Sequence, residues 1–379
     1  MDLAWSQEQI ELHDQILDFG RKQLQSDVVA LDREAAFDRN AWDRCGDFGI
    51  PGLPVPEEHG GLGKDALTTA YALEALGYAC RDNGLLFSIN AHMWTCVMPL
   101  VAFGTPMQKE RYLPGLCRGA LIGGNAMSEP ASGSDAYALR TIARQEGDRY
   151  FISGNKIWIT NGPVADVVVV FANTDTKLSR RGLTAFLVET TTKGFSVSRQ
   201  IEKMGLRTSP MAELHLDECE VPAENRLGKE GAGAALFTHS MSWERALILA
   251  TAVGGMQRQL EACLRYTKER KQFGERIIKF QLVAQRLVDM QLRLEASRAA
   301  LYKAAWLKSC GKSALMEAAM AKLCISESWI QSCQDAIQIH GANGYTSEYG
   351  LERELRDAIG SRIYSGTAEI QKLIISSLM

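Results

Sequence analysis

The chain has 379 residues, which is too long for a single hydrophobic core and predicts two or three domains. Hydrophobic residues make up 46% of it and charged residues 23%, a composition typical of a globular protein. The formal net charge is −3 and the sequence has no basic tail or stripe, which argues against nucleic acid as a partner.

The first 120 residues predict a helical domain. Ser6 and Gln9 have the spacing of a capping box that begins a helix. Apolar residues then recur at helical spacing through residues 10–24, 67–78 and 85–103, with clusters of glycine and proline between them. We therefore place an N-terminal all-α domain at residues 1–120.

Residues 121–230 predict a domain of β-strands. Short runs rich in β-branched and aromatic residues alternate with short polar segments, which is typical of a small antiparallel sandwich or barrel. The predicted strands are residues 150–153, 156–160, 166–172, 183–189, 195–199 and 213–217.

Residues 231–379 predict a second helical domain. One helix is expected over residues 234–257, and a later stripe from Val283 to Leu301 is apolar over most of its circumference. Such a helix is buried in a bundle or in an oligomer interface. The fold class is therefore α+β and multidomain, in the order helical, antiparallel β, helical.

Nine cysteines lie scattered along the chain without a C-x-x-C pair, so we predict no metal site and free thiols in a reducing cytosol. The first residues lack the basic and apolar segments of a secretory signal. The longest apolar stretch that we identify, about residues 246–256, is shorter than the roughly 20 residues of a membrane span. We expect a cytoplasmic protein with no membrane partner.

Several segments are typical of one enzyme family. They are residues 125–135, 157–162, 269–274, 338–345, 356–357 and 365–367. In this order, over essentially the whole chain, they resemble the flavin-binding sequence of the acyl-CoA dehydrogenase family. The resemblance implies FAD as cofactor, a C-terminal four-helix bundle and a homotetramer that shares FAD across subunits.

The residue types in these segments suit a flavin. Ser128 and Thr160 offer small hydroxyls for its polar edge, and Ser134 beside Gly133 allows close approach of a pyrophosphate oxygen. Trp158 offers an aromatic wall, although an ordinary tryptophan of the sheet core is equally consistent with its position. The resemblance implies that Met127 and Tyr364 also contact the cofactor. It implies contacts with the ADP half in a neighbouring subunit from Arg270, Gln272, Phe273, Gln281, Gln338, Gly341, Ala342, Thr367 and Glu369, with Ala342 and Ser128 departing from the usual glycine and threonine.

Glu244 is the candidate catalytic base. It shares a largely apolar helix face with Met241 and Ile248, so desolvation should raise the pKa of its carboxyl, as suits a base. The alternative is a partly exposed glutamate that bridges to another helix.

In most of the family the base stands at the position of Ser365, whose hydroxyl is too weak a base for this step. In a minority, which includes isovaleryl- and long-chain acyl-CoA dehydrogenases, the glutamate of a Glu-Arg pair on this helix replaces it. The resemblance therefore implies that Glu244 takes the α-proton and flavin N5 the β-hydride. The N–H of Gly366 would bind the thioester oxygen.

Within the family the chain resembles the dehydrogenases and oxidases of prolyl carrier proteins, which act on proline held as a thioester. Residues 239–245, 289–295, 301–306, 335–338 and 361–367 carry this resemblance. It implies an acyl or peptidyl carrier protein as partner and contacts with the substrate from Met241, Arg245 and Ser365. Met241 or Trp243 would shorten the pocket for a small ring.

Two other functions stay open from the sequence: a short- or branched-chain acyl-CoA dehydrogenase with the same Glu244 base, and an inactive family member. The sequence does not choose between an electron-transfer flavoprotein and oxygen as electron acceptor. It also leaves open whether one oxidation gives a pyrroline or two give a pyrrole.

Overall fold

Helices occupy both ends of the chain and strands its middle. We describe residues 4–379 from a computed structural model, and the predicted α+β class with its helical, β and helical order is confirmed. The domain limits 1–120, 121–230 and 231–379 stay a prediction. The two helical parts share one hydrophobic core, to which Leu73, Val253 and Ile325 all belong.

The N-terminal helices begin at the predicted capping box. The hydroxyl of Ser6 accepts a hydrogen bond from the Gln9 backbone N–H, and the Gln9 side chain accepts one from the Ser6 N–H. The helices are α1 (Gln7–Gln23), α2 (Val28–Glu34), α3 (Arg39–Phe48), α4 (Ala66–Ala79), α5 (Asn83–His92), α6 (Met98–Phe103) and α7 (Pro106–Cys117).

A π-helical turn joins α5 to α6, so that Asn83–Phe103 forms one helical run of 21 residues. By length and composition alone this run could cross a membrane, and it is longer than the apolar stretch that we identified from the sequence. However, 83% of its most apolar window is buried inside the protein. It is a core helix, against which the helical and β parts both pack.

The middle of the chain forms a mixed sheet. Its strands are β1 (Gly123–Ala126), β2 (Ile142–Glu146), β3 (Arg149–Thr160), β4 (Val167–Asn173), β5 (Leu183–Glu189), β6 (Phe195–Gln200), β7 (Met211–Pro222) and β8 (Arg226–Leu227). The order is β6-β7-β3-β2-β4-β5-β8, with β1 also paired to β4. Most pairs are antiparallel, as predicted, but β1 and β2 each pair with β4 in parallel.

The strand β4 explains why this sheet has two covered faces. Val167, Val169 and Phe171 belong to a core shared with α6 and α7, whereas Val168 and Val170 belong to the core on the other face. A strand that is buried on both faces needs a continuous apolar run, and β4 is completely buried.

The C-terminal helices correct one prediction. The expected single helix at residues 234–257 is two helices, because the chain turns at Ile248 and Leu249. Both residues are 3% exposed, so the turn lies in the core, and no glycine or proline marks it. The elements are α8 (Gly233–Leu247), α9 (Ala250–Glu269), β9 (Lys271–Gln272), β10 (Glu275–Arg276), α10 (Gln281–Ser309), α11 (Leu315–His340), α12 (Ala342–Tyr345), α13 (Leu351–Gly360) and α14 (Ala368–Leu378).

Two glycines allow the helical parts to meet closely. A Cβ on Gly77 of α4 would lie 1.9 Å from the Thr251 carbonyl oxygen, and one on Gly254 of α9 would lie 1.9 Å from that of Glu74. Any larger residue at these two positions would force α4 and α9 apart. This contact fixes the position of α9, which the turn at Ile248 joins to α8.

Candidate active site

A cavity of about 650 Å³ lies between the sheet and the helices α5, α8, α13 and α14. Its volume is in the range of pockets that hold a cofactor or a small substrate. Residues far apart in the sequence meet here. The predicted site residues that line it are Met127, Ser128, Gly133, Ser134, Trp158, Thr160, Met241, Glu244, Arg245, Tyr364, Ser365, Gly366 and Thr367. Thr367, which we expected at the ADP half of an FAD held in a neighbouring subunit, thus lies in the same cavity as Ser128 and Trp158.

A bulge in β3 presents Trp158 to this cavity. The pairing of β3 with β7 shifts between Lys156 and Ile159, and the freed N–H of Ile157 donates to the Ser128 carbonyl at 3.0 Å. Trp158 has a left-handed backbone (φ +58°) and is 50% exposed. It is therefore an uncovered aromatic wall of the cavity and does not belong to the sheet core.

A buried ion pair holds the loop that carries Ser128. The Lys156 ammonium lies 2.9 Å from the Glu129 carboxylate and also donates to the Met127 carbonyl at 3.2 Å. The same carboxylate accepts bonds from the backbone of Arg140 and from the backbone and hydroxyl of Thr141. Because both charges are almost completely buried, this pair fixes the loop to the back of β3.

The part of the cavity around Trp158 fits the isoalloxazine of a flavin. An exposed indole, the hydroxyls of Ser128 and Thr160, and a glycine at position 133 are arranged around the same space. A Cβ on Gly133 would have only a carbon of Trp158 within 4 Å, at 3.8 Å. An aromatic ligand with a polar edge can therefore stack on the indole and bond to the hydroxyls.

Glu244 and Ser365 meet in this cavity although 121 residues separate them in the chain. The Ser365 hydroxyl donates to Oε1 of Glu244 at 2.6 Å. The second oxygen, Oε2, is buried and has no hydrogen-bond partner within the described chain. The carboxylate is thus held by one oxygen and free at the other.

Burial is the largest influence on the ionisation of Glu244. The residue is 7% exposed, and desolvation raises the pKa of its carboxyl above the usual range. The bond from Ser365 and the charges of Arg245 and Lys322 oppose this effect and lower the pKa. A buried carboxylate with a raised pKa and one free oxygen is suited to accept a proton.

The loop between α13 and α14 has an unusual backbone. Ser365 and Gly366 have φ values of +58° and +88°, a region that disfavours a non-glycine residue such as serine. The side chain of Gln371 donates to both of their carbonyl oxygens, at 3.2 and 2.8 Å. The backbone N–H of Gly366 donates to no acceptor among residues 4–379, so it is free for an oxygen in the cavity.

The structure separates the two residues that we expected to shorten the pocket. Met241 lines the cavity and is 6% exposed. Trp243 does not line it, because its ring stacks on Trp94 with the centroids 5.9 Å apart. Phe87 and Tyr364 line the cavity together with Met241, and their rings lie 4.5 Å apart.

Arg245, the residue next to Glu244 on α8, lines the same cavity. Its Nε donates to the Ser365 carbonyl at 3.4 Å. The loop from α13 to α14 is wide enough to contact both residues.

The other predicted cofactor contacts lie outside the cavity. Except for Glu369, which is exposed in the first turn of α14, they form what we call the distal surface, at the β9–β10 hairpin, the start of α10 and the end of α11. Its residues are all exposed: Arg270, Gln272, Phe273, Gln281, Gln338, Gly341 and Ala342. Phe273 is 95% exposed, and its one ring neighbour is Phe280.

Sequence reasoning missed three charged residues of this site. Glu129 and Lys156 lie within or beside the segments that we selected, and a lysine in a β-branched run was the available signal. Lys322 stands among alanines and isoleucine on α11, where a charged residue on an apolar helix face was the corresponding signal.

The family models of the acyl-CoA dehydrogenases match almost the whole chain. The N-terminal domain model matches residues 6–120, the middle domain model residues 124–219 and the C-terminal domain model residues 231–379. The chain therefore belongs to the acyl-CoA dehydrogenase family, as the sequence predicts. Members of this family are flavin-dependent oxidoreductases.

Similar proteins indicate the branch of the acyl-CoA dehydrogenase family to which the chain belongs. The chain is 41% identical over 376 residues to the L-prolyl-[peptidyl-carrier protein] dehydrogenase of a Serratia species, covering 99% of this chain and 97% of that protein. The structure of this chain matches that of the prolyl acyl carrier protein oxidase AnaB with a TM-score of 0.98 and 53% identity, over 99% of both chains. It matches PigA with FAD and proline with a TM-score of 0.97 and 40% identity, over 100% of this chain and 99% of that one. The predicted branch of the family is thus confirmed.

Proposed function

We propose that the protein is an FAD-dependent dehydrogenase of an L-prolyl thioester on an acyl or peptidyl carrier protein. The observation that carries this proposal is the buried Glu244 carboxylate, held at one oxygen by Ser365 and free at the other, in the cavity that Trp158 lines. The similarity to prolyl carrier protein dehydrogenases and oxidases supports the substrate.

FAD would lie against Trp158, with its polar edge toward Ser128 and Thr160 and its neighbouring groups near Met127, Gly133, Ser134, Tyr364 and Thr367. Its chemical contribution when bound is to accept the β-hydride of the substrate. The hydroxyl of Thr367 also caps α14, since it accepts the N–H of Ile370 at 3.3 Å. This side chain therefore stands at a fixed place on the cavity wall.

Glu244 acts as the base. Its oxygen Oε2 takes the α-proton of the thioester, while Oε1 keeps the hydrogen bond from Ser365. The raised pKa of the carboxyl makes it a stronger proton acceptor than an exposed glutamate, provided that it starts ionised.

The loop between α13 and α14 stabilises the charge that develops on the substrate. Loss of the α-proton places negative charge on the thioester oxygen, and the free N–H of Gly366 can donate to it. The bonds from Gln371 to the two neighbouring carbonyls hold this donor in place before the reaction. Arg245 and Met241 complete the walls around the acyl group.

A substrate comparison tests the proposal. Purified protein containing FAD is mixed, without oxygen, with prolyl carrier protein and separately with isovaleryl-CoA, and the visible flavin absorption is followed. We expect bleaching with the carrier-bound proline. Bleaching with the CoA ester alone would make the protein a branched-chain acyl-CoA dehydrogenase, and no bleaching with either would indicate an inactive member. The product mass separates a pyrroline from a pyrrole.

The proposal also covers the oligomeric state of the protein, its electron acceptor and its place in the cell. The distal surface would contact the ADP half of an FAD bound by a second copy of the chain in a homotetramer, together with Glu369. Its exposure in a single chain supports this arrangement. Reduced flavin would pass its electrons to an electron-transfer flavoprotein or to oxygen, in the cytoplasm. Light scattering and an oxygen electrode measure the first two points.

A further inference from the structure

Lys322 is a buried cation of the helical core. It lies on α11, is 0% exposed, and its Nζ donates to the Gly366 carbonyl oxygen at 2.8 Å. Among residues 4–379 no carboxylate lies within 4.0 Å of this ammonium. A buried charge without an ion pair is costly, so its place in an apolar helix face calls for a role beyond packing.

The ammonium and the Glu244 carboxylate are joined through one short piece of backbone. Ser365 donates its hydroxyl to Glu244, and the next residue, Gly366, accepts from Lys322. Ser365 has a left-handed backbone conformation, which a residue other than glycine keeps only where its surroundings hold it. The carboxylate and the ammonium thus hold the same loop at consecutive residues.

We propose that Lys322 is a positioning residue of the active site, which holds the Gly366 carbonyl and supplies the positive charge that keeps Glu244 ionised before proton transfer. This inference deepens the proposed function and depends on Glu244 being the base. It adds a second ionisable group to the reaction, one that does not touch the cavity.

The electrostatic interaction between Lys322 and Glu244 supports the role of Lys322 as a positioning residue. Lys322 lowers the pKa of Glu244, against the rise that burial causes. Burial lowers the pKa of Lys322 itself to about 8, while the charge of Glu244 opposes that change. The ammonium is therefore still present at neutral pH, where Glu244 has to be ionised.

Other ionisable groups also face the pair. Arg245 on α8 adds a second positive charge near both Glu244 and Lys322, and Glu327 on α11 and Glu369 on α14 act on Lys322 with negative charge. Tyr364 lies below the ammonium, with its ring centroid 5.8 Å from Nζ. Since Arg245 stays charged, removal of Lys322 should weaken but not abolish the stabilisation of the carboxylate.

Two substitutions separate charge from position. Lys322→Met removes both the charge and the hydrogen bond, whereas Lys322→Gln removes the charge and keeps a donor for the Gly366 carbonyl. Lys308→Met is a matched control, because burial also lowers the pKa of Lys308 to about 8, yet this lysine lies over Trp243 outside the cavity. Circular dichroism at each pH shows whether each variant is folded.

The pH dependence of flavin reduction by prolyl carrier protein is the first measurement. We expect the acidic limb of the profile to move to higher pH by about one pH unit in Lys322→Met and Lys322→Gln, and not in Lys308→Met. Such a movement corresponds to a roughly tenfold change in the ionised fraction of Glu244 below the limb. A rate loss that is equal at every pH would reduce Lys322 to a structural support and overturn the proposal.

Infrared spectroscopy gives a second readout that does not need turnover. The carbonyl stretch of the protonated Glu244 carboxyl, identified by its loss in Glu244→Gln, is titrated in each protein. We expect its midpoint to rise in the Lys322 variants.

If Lys322→Met does not fold, Lys322→Gln alone decides the question. Should Glu244→Gln remain active, Glu244 is not the base and the role of Lys322 fails with it, while the activity on prolyl carrier protein stands. If Glu244→Gln is inactive but the Lys322 profiles do not move, only the role of Lys322 fails.

Discussion

The cavity and the distal surface differ in how complete they are within one chain. Around the cavity, the predicted residues already have partners: Ser365 bonds to Glu244, Thr367 caps α14, and a buried ion pair supports the Ser128 loop. The distal surface is exposed, and Phe273 is almost fully accessible. One chain thus brings together the groups for proton transfer, whereas the proposed distal contacts depend on a ligand or a second copy.

The largest effect is expected inside the cavity. Glu244→Gln removes the base without changing the shape of the side chain, so flavin reduction by prolyl carrier protein should slow by about 1,000-fold. Stopped-flow absorption measures this rate. Glu57→Gln, an exposed glutamate of the N-terminal part, is the control and should change nothing. Unchanged activity in Glu244→Gln would remove this residue from the reaction, and the cavity would then lack its proton acceptor.

The next effect concerns the support of the cavity wall. Lys156→Met leaves the Glu129 carboxylate buried without its cation, which should lower the free energy of unfolding by about 3 kcal/mol. Denaturant unfolding followed by circular dichroism measures it, with the exposed Lys193→Met as control. Adding Glu129→Gln should recover part of the loss. A cost under about 1 kcal/mol would mean that the loop does not depend on this pair.

The distal surface gives a smaller, cofactor-specific effect. If it contacts FAD bound by another copy, Arg270→Ala combined with Gln272→Ala should weaken FAD binding about tenfold, which is about 1.4 kcal/mol. Quenching of FAD fluorescence measures the affinity, and light scattering measures the mass. Arg265→Ala with Lys268→Ala, two exposed cations of α9, is the control. An unchanged affinity would leave the distal surface without a role in the cofactor site.

The smallest effect sharpens the role of Ser365. Its hydrogen bond favours the ionised form of Glu244, so Ser365→Ala should raise the pKa of that carboxyl further. The acidic limb of the rate profile then moves to higher pH by less than about one pH unit, and the rate well above that limb stays nearly unchanged. Ser376→Ala, on the exposed side of α14, is the control. A limb that moves to lower pH would contradict the observed direction of the hydrogen bond.

Local features of the sequence determined the order of the parts and most of the elements. Ser6 and Gln9 marked the start of α1, and the runs at residues 183–189 and 195–199 became β5 and most of β6. Periodicity and capping depend on neighbouring residues, so the sequence displays them directly. The same holds for the place of Glu244 on an apolar helix face, and the motifs in order were enough to indicate the family.

Contacts between distant residues decided the rest. Two predicted strands, 150–153 and 156–160, are the single strand β3, whose pairing with β7 shifts at two places. Only the shift between Lys156 and Ile159 shows why Trp158 points into the cavity. The parallel pairing of β1 with β4 and the turn at Ile248 are set by burial in shared cores, which no local pattern records. The chain by itself supplied a glutamate and a serine 121 residues apart; only folding made the serine the hydrogen-bond donor that leaves one carboxylate oxygen free.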